Sequence, residues 1–436
     1  MIKKMKYYST NHKAERVSFR EAVIKGLPED NGLYMPEMIT PLPPSFFEKL
    51  PDTSLAEIGY NVAQPFVGDD IPEQEMLAII EDTLNFDIPV VKVEEGIYAL
   101  ELFHGPTLAF KDVGARFLAR CLSYFSKNEQ QKVTVLVATS GDTGSAVAHG
   151  FLGVPNVDVV ILYPKGKVST LQEQQLTTLG QNITALEING TFDDCQRMVK
   201  SAFLDKSLNE SVRLTSANSI NMARLLPQSF YYFWAKAQLP GRDLVFSVPS
   251  GNYGNLTAGL LAKRLGLDIR AFVASSNIND VVPNYLATGD FKPTASRQTI
   301  SNAMDVGSPS NFYRMLDLYN DEWKSIISDI KGYSFNDDQT RAAMKEVYDR
   351  TGYVLDPHGA VGYLGLKNYL KENDATGIFL ETAHPAKFKD VVDEVVGNVE
   401  VPERLAKYMH EERKSVEMGS NFEELKEYLM VSLEKR

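Results

Sequence analysis

One lysine, Lys111, is distinguished by its neighbours along the chain. It follows Leu108, Ala109 and Phe110 in the segment HGPTLAFKD and precedes an amphipathic helix pattern. The partial positive charge of a helix N-terminus disfavours an ammonium group, and apolar neighbours would desolvate the amine and lower its pKa further. Such an amine could serve as a Schiff-base lysine or a general base. A lysine before a helix is more often simply solvent-exposed, so this segment does not decide alone.

A glycine-rich turn at residues 250–255 could bind an anion. Its sequence, SGNYGN, follows an apolar run that ends at Val248, and a helix pattern comes after it. Glycines let backbone N–H groups surround an anion, and the dipole of the following helix favours a phosphate. The spacing matches neither a P-loop nor a dinucleotide-binding GxGxxG motif. Because many glycine-rich loops are only tight turns, this motif needs support from others.

Three more polar segments could bind parts of a substrate. Residues 139–144 (TSGDTG) follow a strand pattern and open a helix, so hydroxyls and free amides could seat a carboxylate, although a polar loop with an N-cap explains them equally well. Residues 218–224 (NSINMAR) combine arginine with amide and hydroxyl donors, which suit a phosphate, and we expect them along one side of a helix. Residues 381–387 (ETAHPAK) place a hydroxyl at a strand terminus.

The order of apolar runs predicts the elements that hold these segments. From residue 96 onward, short β-rich runs alternate with helix patterns, which favours open, largely parallel sheets with helices on both faces. Two such units leave a cleft between them, where ligands bind. We expect one long helix over residues 218–239. Near the N-terminus, Ser18 and Glu21 form a capping box for a helix that stops at Gly26.

The composition indicates a globular protein without a nucleic-acid or membrane surface. Of 436 residues, 44% are apolar, and 57 acidic against 45 basic side chains give a net charge of −12. No apolar run approaches the ~18 residues of a membrane span, no signal peptide is evident, and no metal-ligand spacing occurs. We expect Cys121 and Cys195 to be free buried thiols, and the whole pattern favours the cytoplasm.

In their order and combination, these motifs resemble the threonine synthases, a family of fold-type-II pyridoxal-phosphate enzymes, in the form with an extended N-terminal region. The resemblance covers nearly the whole chain and includes four further strings: VSF at 17–19, GLYMP at 32–36, MDVG at 304–307 and PSNF at 309–312. The implied fold is α/β, with two open, mostly parallel αβα domains, a cleft between them and a small, mainly helical N-terminal domain.

The resemblance also implies where the domains divide. The N-terminal domain would be residues 1–92. The large pyridoxal-phosphate-binding domain would combine residues 93–112 with residues 240–436. The small α/β domain would be residues 113–239.

Roles for individual residues follow from the same resemblance. Lys111 would form an imine with pyridoxal 5′-phosphate, and Thr382 would face the pyridine nitrogen. Five residues would cradle the cofactor phosphate: Gly251, Asn252, Tyr253, Gly254 and Asn255. Three would help seat the substrate carboxylate: Ser140, Asp142 and Thr143. Four would hold the substrate phosphate: Asn218, Ser219, Arg224 and Asn252. Related enzymes often place an asparagine near the 3′-oxygen of the cofactor where this chain has Asp142, so a ring contact for Asp142 stays open.

The implied reaction converts O-phosphohomoserine and water to L-threonine and phosphate, by γ-elimination and then hydration at the β carbon. Lys111 would move the Cα and Cβ protons while the cofactor acts as electron sink. The expected partner is this small molecule, and both a monomer and a homodimer remain open. Other lyases of the fold, such as a serine/threonine dehydratase or cysteine synthase, and a non-catalytic relative are alternatives. The missing P-loop and metal carboxylates disfavour a nucleotide-dependent transferase.

Overall fold

The computed structural model describes residues 5–127, 131–139 and 141–434 of the chain. Its strands form two open sheets and a short antiparallel ribbon near the N-terminus. The strands are β1 (Tyr7–Ser9), β2 (Tyr34–Pro36), β3 (Val90–Glu94), β4 (Ile97–Glu101), β5 (Val133–Ala138), β6 (Val157–Pro164), β7 (Ile183–Ile188), β8 (Arg213–Ser216), β9 (Leu244–Pro249), β10 (Ala271–Ser276), β11 (Ile330–Ser334), β12 (Thr376–Glu381) and β13 (Ser415–Met418).

Helices connect these strands and cover the sheets. They are α1 (Phe19–Lys25), α2 (Pro44–Lys49), α3 (Leu55–Val67), α4 (Glu73–Thr83), α5 (Lys111–Ser126), α6 (Asp142–Phe151), α7 (Thr170–Thr177), α8 (Phe192–Leu204), α9 (Lys206–Ser211), α10 (Met222–Leu225), α11 (Phe230–Gln238), α12 (Gly254–Arg264), α13 (Val281–Thr288), α14 (Phe312–Leu318), α15 (Trp323–Asp329), α16 (Asp337–Thr351), α17 (Pro357–Leu370), α18 (Lys389–Val396), α19 (Glu403–Ala406) and α20 (Phe422–Glu434). Short 3-10 turns lie at Leu50–Asp52, Gly68–Asp70, Leu226–Ser229, Asn302–Met304, Pro385–Phe388 and Lys407–His410.

The larger sheet has the strand order β11-β10-β9-β12-β4-β3. Its strands are parallel except for β3, which pairs antiparallel with β4 at one edge. Every residue of β9 and β10 is buried, because helices cover both faces of the sheet. These two strands therefore appear in the sequence as mostly apolar runs with small serines rather than as regularly alternating patterns.

The smaller sheet has the order β13-β7-β6-β5-β8, and all its pairs are parallel. Its outer strand β13 comes from the C-terminal segment and pairs with β7. The following helix α20 packs on α8, with Leu425 and Leu429 fully buried. Residues 415–434, which the sequence analysis assigned to the large domain, thus belong to the smaller sheet. Their pairing is long-range, and no local pattern in the sequence indicates it.

The N-terminal region is mainly helical, as expected, and its apolar side chains join the main core. The capping box at the start of α1 is confirmed: Ser18 Oγ accepts from the backbone N–H of Glu21, and the Glu21 carboxylate accepts from that of Ser18. Gly26 ends the helix with a φ of 69°. The Tyr7 hydroxyl donates to the carbonyl of Phe66, which ties β1 to α3.

The prediction of one long helix over residues 218–239 is wrong. This segment is a turn, then α10, a 3-10 turn and α11. Asn221 is the N-cap of α10, since its side chain accepts from the N–H of Ala223. Pro227 lacks an N–H and interrupts the helical hydrogen bonds one turn later. Asn221 also points away from Asn218 and Arg224, because its amide donates to the carbonyl of Val23 in α1.

Both cysteines are buried free thiols, and burial raises the pKa of Cys195 to about 12. Across the described part of the chain, no helix is long and apolar enough to span a membrane. Within the same residues, no group of three or more His, Cys, Asp or Glu side chains could hold a metal ion.

Candidate active site

A cavity of about 390 Å³ opens where the carboxyl ends of strands from both sheets meet. The segments that follow β4, β5, β8, β9 and β12 all contribute to its wall. Eleven of the residues to which the sequence analysis gave a role in the site line it: Lys111, Thr143, Asn218, Ser219, Arg224, Gly251, Asn252, Tyr253, Gly254, Asn255 and Thr382. The structure thus brings together segments that lie far apart along the chain.

Lys111 is the first residue of α5, and the segment that follows β12 fixes its position. The backbone N–H of Phe110 donates to the carbonyl of Thr382 at 2.8 Å, and Ala109 forms an antiparallel bridge with Ala383. A left-handed Leu108, with φ at 58°, turns the chain into this pairing. Because the backbone beside Lys111 is hydrogen-bonded to the backbone at Thr382, both side chains face the same cavity.

The environment of Lys111 destabilises the protonated amine. Its side chain faces the cavity, but that cavity is deep, so desolvation lowers the lysine pKa to about 8. The positive charges of Arg224 and Lys387 lower this pKa too, whereas the carboxylate of Asp142 raises it. An amine with such a pKa can hold or release a proton near neutral pH.

The turn at residues 250–255 leads from β9 into the eleven-residue helix α12. Among the described residues, no protein acceptor receives the backbone N–H groups of residues 251–255. Tyr253 adopts a left-handed backbone, with φ at 60°, and its hydroxyl bonds that of Ser276 at 2.6 Å. A Cβ at Gly251 would lie 2.6 Å from the Cα of Met304, so the turn has no room for a side chain there. Free amides at a helix N-terminus form an anion site.

Arg224 adds a buried positive charge to the same wall. Its side chain is 3% exposed, and its Nη1 donates to the carbonyl of Ala217 at 2.9 Å. No hydrogen-bond acceptor for its Nε was found among the described residues. The guanidinium packs against Gly114, one turn after Lys111, where a Cβ would lie 3.2 Å from the Nε. An unpaired N–H on a buried cation is costly without an anionic partner.

Asp142 is not among the residues that line the cavity, although its charge acts on Lys111, which does line it. Its carboxylate pairs with Lys387 at 2.6 Å and accepts from Gln172 at 2.9 Å. Although burial alone would raise its pKa, Lys387 and Lys111 lower it to about 2. The carboxylate therefore balances buried cations. Ser140, the third residue of the expected carboxylate seat, lies outside the described residues, whereas Thr143 lines the cavity.

Family models match the chain along most of its length. A model described as pyridoxal-phosphate dependent enzyme matches residues 83–380. A model of the threonine synthase N terminus matches residues 6–84, and one of the threonine synthase C-terminal part matches residues 359–429.

Full-length relatives agree with these models. The chain is 47% identical to threonine synthase from Haemophilus influenzae, over 98% of this chain and 100% of that one. It is similar to the solved threonine synthase from Escherichia coli, with 43% identity, a TM-score of 0.92 and coverage of 98% and 99%. A pyridoxal-phosphate-bound threonine synthase from Brucella melitensis has 34% identity and a TM-score of 0.91, with coverage of 98% and 99%.

The chain belongs to the threonine synthase family. It is therefore a pyridoxal-phosphate-dependent lyase of threonine biosynthesis, and the fold class expected from the sequence is confirmed.

The cavity fits the cofactor of the threonine synthase family. A desolvated lysine amine, Lys111, is available for a covalent bond to an aldehyde. The free amides of residues 251–255 suit a phosphate, and Gly251 leaves space only for the bare backbone. Thr382, 6% exposed, provides a hydroxyl on the cavity wall. These groups can hold the two ends of one phosphorylated aldehyde.

Several cavity residues of this threonine synthase family member were missed in the sequence. His358 lines the cavity; its Nδ1 lies 2.6 Å from Asp356, and its Nε2 accepts from the N–H of Ala303 at 3.2 Å. Segment 302–308, which contains the family string MDVG, also lines the cavity. The string Asp356–Pro357–His358 is a visible helix start, because Asp356 caps α17 and proline fits its first turn. That signal indicates a helix, not a cavity wall.

Glu381, next to Thr382, is a buried carboxyl group that sequence reasoning left without a role. Burial raises its pKa well above the usual range, and the nearby carboxylate of Asp356 acts in the same direction. Among the described residues, neither Glu381 oxygen makes a hydrogen bond of standard geometry, although the backbone N–H of Asp356 opposes the rise in pKa. In its protonated form, Glu381 can therefore donate a hydrogen bond from its O–H to the carboxylate of Asp356.

Proposed function

We propose that this cavity converts O-phosphohomoserine and water to L-threonine and phosphate, with Lys111 as the residue that binds pyridoxal phosphate and transfers protons. The observation that carries this assignment is the position of the Lys111 amine. It is desolvated, and it shares one cavity with the free amides of residues 251–255 and with the unpaired Nε of Arg224. Two anion sites beside one reactive amine suit a phosphorylated cofactor together with a phosphorylated substrate.

The cofactor would be held at three points. The amides of Gly251, Asn252, Tyr253, Gly254 and Asn255 would bind its phosphate, since they are free and begin a helix. Lys111 would bind its aldehyde carbon, and the Thr382 hydroxyl would face its ring nitrogen. Pyridoxal phosphate, when bound, supplies the electron sink that makes the Cα and Cβ protons of the substrate acidic.

The substrate phosphate would be bound by Asn218, Ser219, Arg224 and Asn252. The Asn252 amide donates to the Ser219 hydroxyl at 2.8 Å, so these two side chains already form one polar surface. Arg224 contributes the full charge, and its exclusion from water strengthens attraction to a phosphate. Thr143, at the start of α6, and Ser140 would receive the substrate carboxylate.

Lys111 would also act as general base and acid. Its pKa of about 8 keeps part of the amine neutral at physiological pH, so the group can remove the Cα and Cβ protons in turn. It can then return a proton at Cγ once phosphate has left, and at Cα after water has added to Cβ. Arg224 and Lys387 help to keep this pKa low because a second positive charge disfavours protonation.

A substrate comparison tests the proposed function. The purified enzyme should release phosphate from O-phosphohomoserine, and Arg224→Met should raise KM for this substrate about ten- to a hundredfold, because a charged hydrogen bond is lost. The matched control is slow dehydration of threonine or serine, whose KM should change little because these substrates lack a phosphate. Equal effects on both substrates, or no phosphate release by the wild type, would contradict the assignment.

We also propose the remaining organisation of the protein. The N-terminal part, residues 1–92, and the two α/β parts would act as domains around the cavity. Residues 415–434 would belong to the domain built on the smaller sheet, because β13 pairs with β7. The acidic charge of −12 and the free buried cysteines support a cytoplasmic enzyme. Its ligands would be small molecules and not nucleic acid or membrane, with a monomer and a homodimer both open.

A further inference from the structure

Arg314, at the start of α14, is a second buried arginine behind the cavity wall. Its side chain is fully buried and makes five hydrogen bonds to neutral oxygens. The acceptors are the carbonyl of Tyr34, twice, the carbonyls of Ser219 and Ile220, and the Oδ1 of Asn311. The guanidinium therefore joins the N-terminal region to the turn before α10 and to α14.

No carboxylate forms an ion pair or a hydrogen bond with Arg314 among the described residues. Desolvation lowers its pKa to about 9, and only the more distant charge of Asp317 opposes this effect. A buried cation without a counter-charge is costly unless hydrogen bonds compensate for its lost hydration. The five hydrogen bonds of Arg314 provide that compensation.

These bonds fix the orientation of the Asn311 side chain. Since the guanidinium can only donate, the Asn311 oxygen must face Arg314, at 2.8 Å from Nη1. Its Nδ2 then donates to the Ser219 hydroxyl oxygen at 3.1 Å. Asn252 is fixed in the same way: its oxygen accepts the backbone N–H of Ser310 at 2.6 Å, so its Nδ2 donates to Ser219 at 2.8 Å.

The Ser219 hydroxyl oxygen thus accepts two hydrogen bonds, which occupy both of its lone pairs. Its own proton must go to another acceptor, and no acceptor for it lies among the described residues. Ser219 lines the cavity beside Asn218 and Arg224. The free direction of this proton is therefore the cavity, where the charges favour an anion.

We propose that Arg314 and Asn311 are positioning residues that set the Ser219 hydroxyl as a hydrogen-bond donor to the phosphate of the substrate. This inference rests on the proposed function and adds the residues that determine selectivity for a phosphorylated amino acid. Neither residue touches the substrate; Arg314 orients Asn311, and Asn311 orients Ser219. A site with fixed donors rejects a ligand that lacks the matching acceptor, because its donors then stay unpaired.

Asn311→Asp is the sharpest test, because removing Arg314 could simply prevent folding. The new carboxylate keeps the size and the contact with Arg314 but accepts from Ser219 instead of donating, so the hydroxyl proton turns away from the cavity. Calorimetry on the holoenzyme should give a Kd for inorganic phosphate about tenfold higher than wild type. The KM for O-phosphohomoserine should rise similarly. The unfolding midpoint should not fall, because Arg314 gains a counter-charge.

A double-mutant cycle separates orientation from simple charge repulsion. Ser219→Ala removes the donor, so adding Asn311→Asp to it should change the phosphate Kd by less than about twofold. A full tenfold loss in the Ser219→Ala background would show direct repulsion and overturn the proposal, as would a wild-type Kd in Asn311→Asp alone.

Two further measurements, of cofactor retention and of phosphate release by the wild type, distinguish failure of the positioning role from failure of the proposed function. Retention of the cofactor colour should be unchanged in Asn311→Asp; loss of cofactor with an unchanged phosphate Kd would assign Ser219 to the cofactor phosphate and overturn the proposal. If the wild type releases no phosphate from O-phosphohomoserine, the proposed function itself fails. If the wild type does so and Asn311→Asp behaves identically, only the positioning role fails.

Discussion

The ion pair between Lys387 and Asp142 shows how single residues shape the electrostatics of the site. Both side chains are nearly or fully buried, and the Lys387 ammonium also donates to the carbonyl of Thr107 at 2.9 Å. One residue follows β12 in the larger sheet, and the other begins α6 on the smaller sheet. The pair therefore links the two sheets directly beside Lys111.

Removing one partner of this pair should destabilise the protein strongly. Lys387→Met leaves the carboxylate of Asp142 buried without its closest counter-charge, so we expect the free energy of unfolding in urea to fall by about 3–5 kcal/mol. The matched control is the double variant Lys387→Met with Asp142→Asn, in which neither member of the pair is left charged and which keeps the contact with Gln172. It should recover most of the loss. A single variant as stable as wild type would show that the pair contributes little.

At the scale of elements, the turn between β9 and α12 depends on its closeness to the segment 302–304. A Cβ at Gly251 would lie 2.6 Å from the Cα of Met304 and 3.0 Å from the carbonyl of Ala303. A Cβ at Gly254, in the same turn, meets its nearest atoms only at 3.4 Å. The two glycines therefore differ in the space around them, although the sequence motif shows them as equivalent.

This difference predicts the outcome of two alanine substitutions. Gly251→Ala should force the turn away from Met304, which disturbs the amides that bind the cofactor phosphate and costs about 1–3 kcal/mol of stability. We expect a lower unfolding midpoint and faster release of the cofactor, followed by its absorbance. Gly254→Ala should keep the wild-type unfolding midpoint. Equal midpoints for both variants would contradict the close packing of Gly251 on Met304.

Element boundaries were predictable where the pattern was local. The alternation of strands and helices after residue 96 was predicted by the apolar runs, because covered parallel strands and one-sided helices leave clear periods. The segment 218–239 was not predictable by period. There, a capping asparagine and a proline decide the local structure against the helical spacing of Asn218, Asn221 and Arg224.

At the scale of the whole molecule, the site could be predicted because parallel strands end at a common edge. Polar motifs after strands must meet there, and this argument places Lys111, the 250–255 turn and Thr382 around one cavity. No comparable rule predicts the long-range pairings from the sequence. The return of β13 to the smaller sheet and the pairing of Lys387 with Asp142 depend on tertiary packing alone.

The account depends most on Lys111 as the residue that binds the cofactor, and borohydride reduction of the purified holoenzyme followed by peptide mapping tests this most directly. We predict loss of the yellow colour and one reduced cofactor adduct, on the peptide that contains Lys111. An adduct on another lysine, such as the neighbouring Lys387, or no adduct at all, would contradict the account.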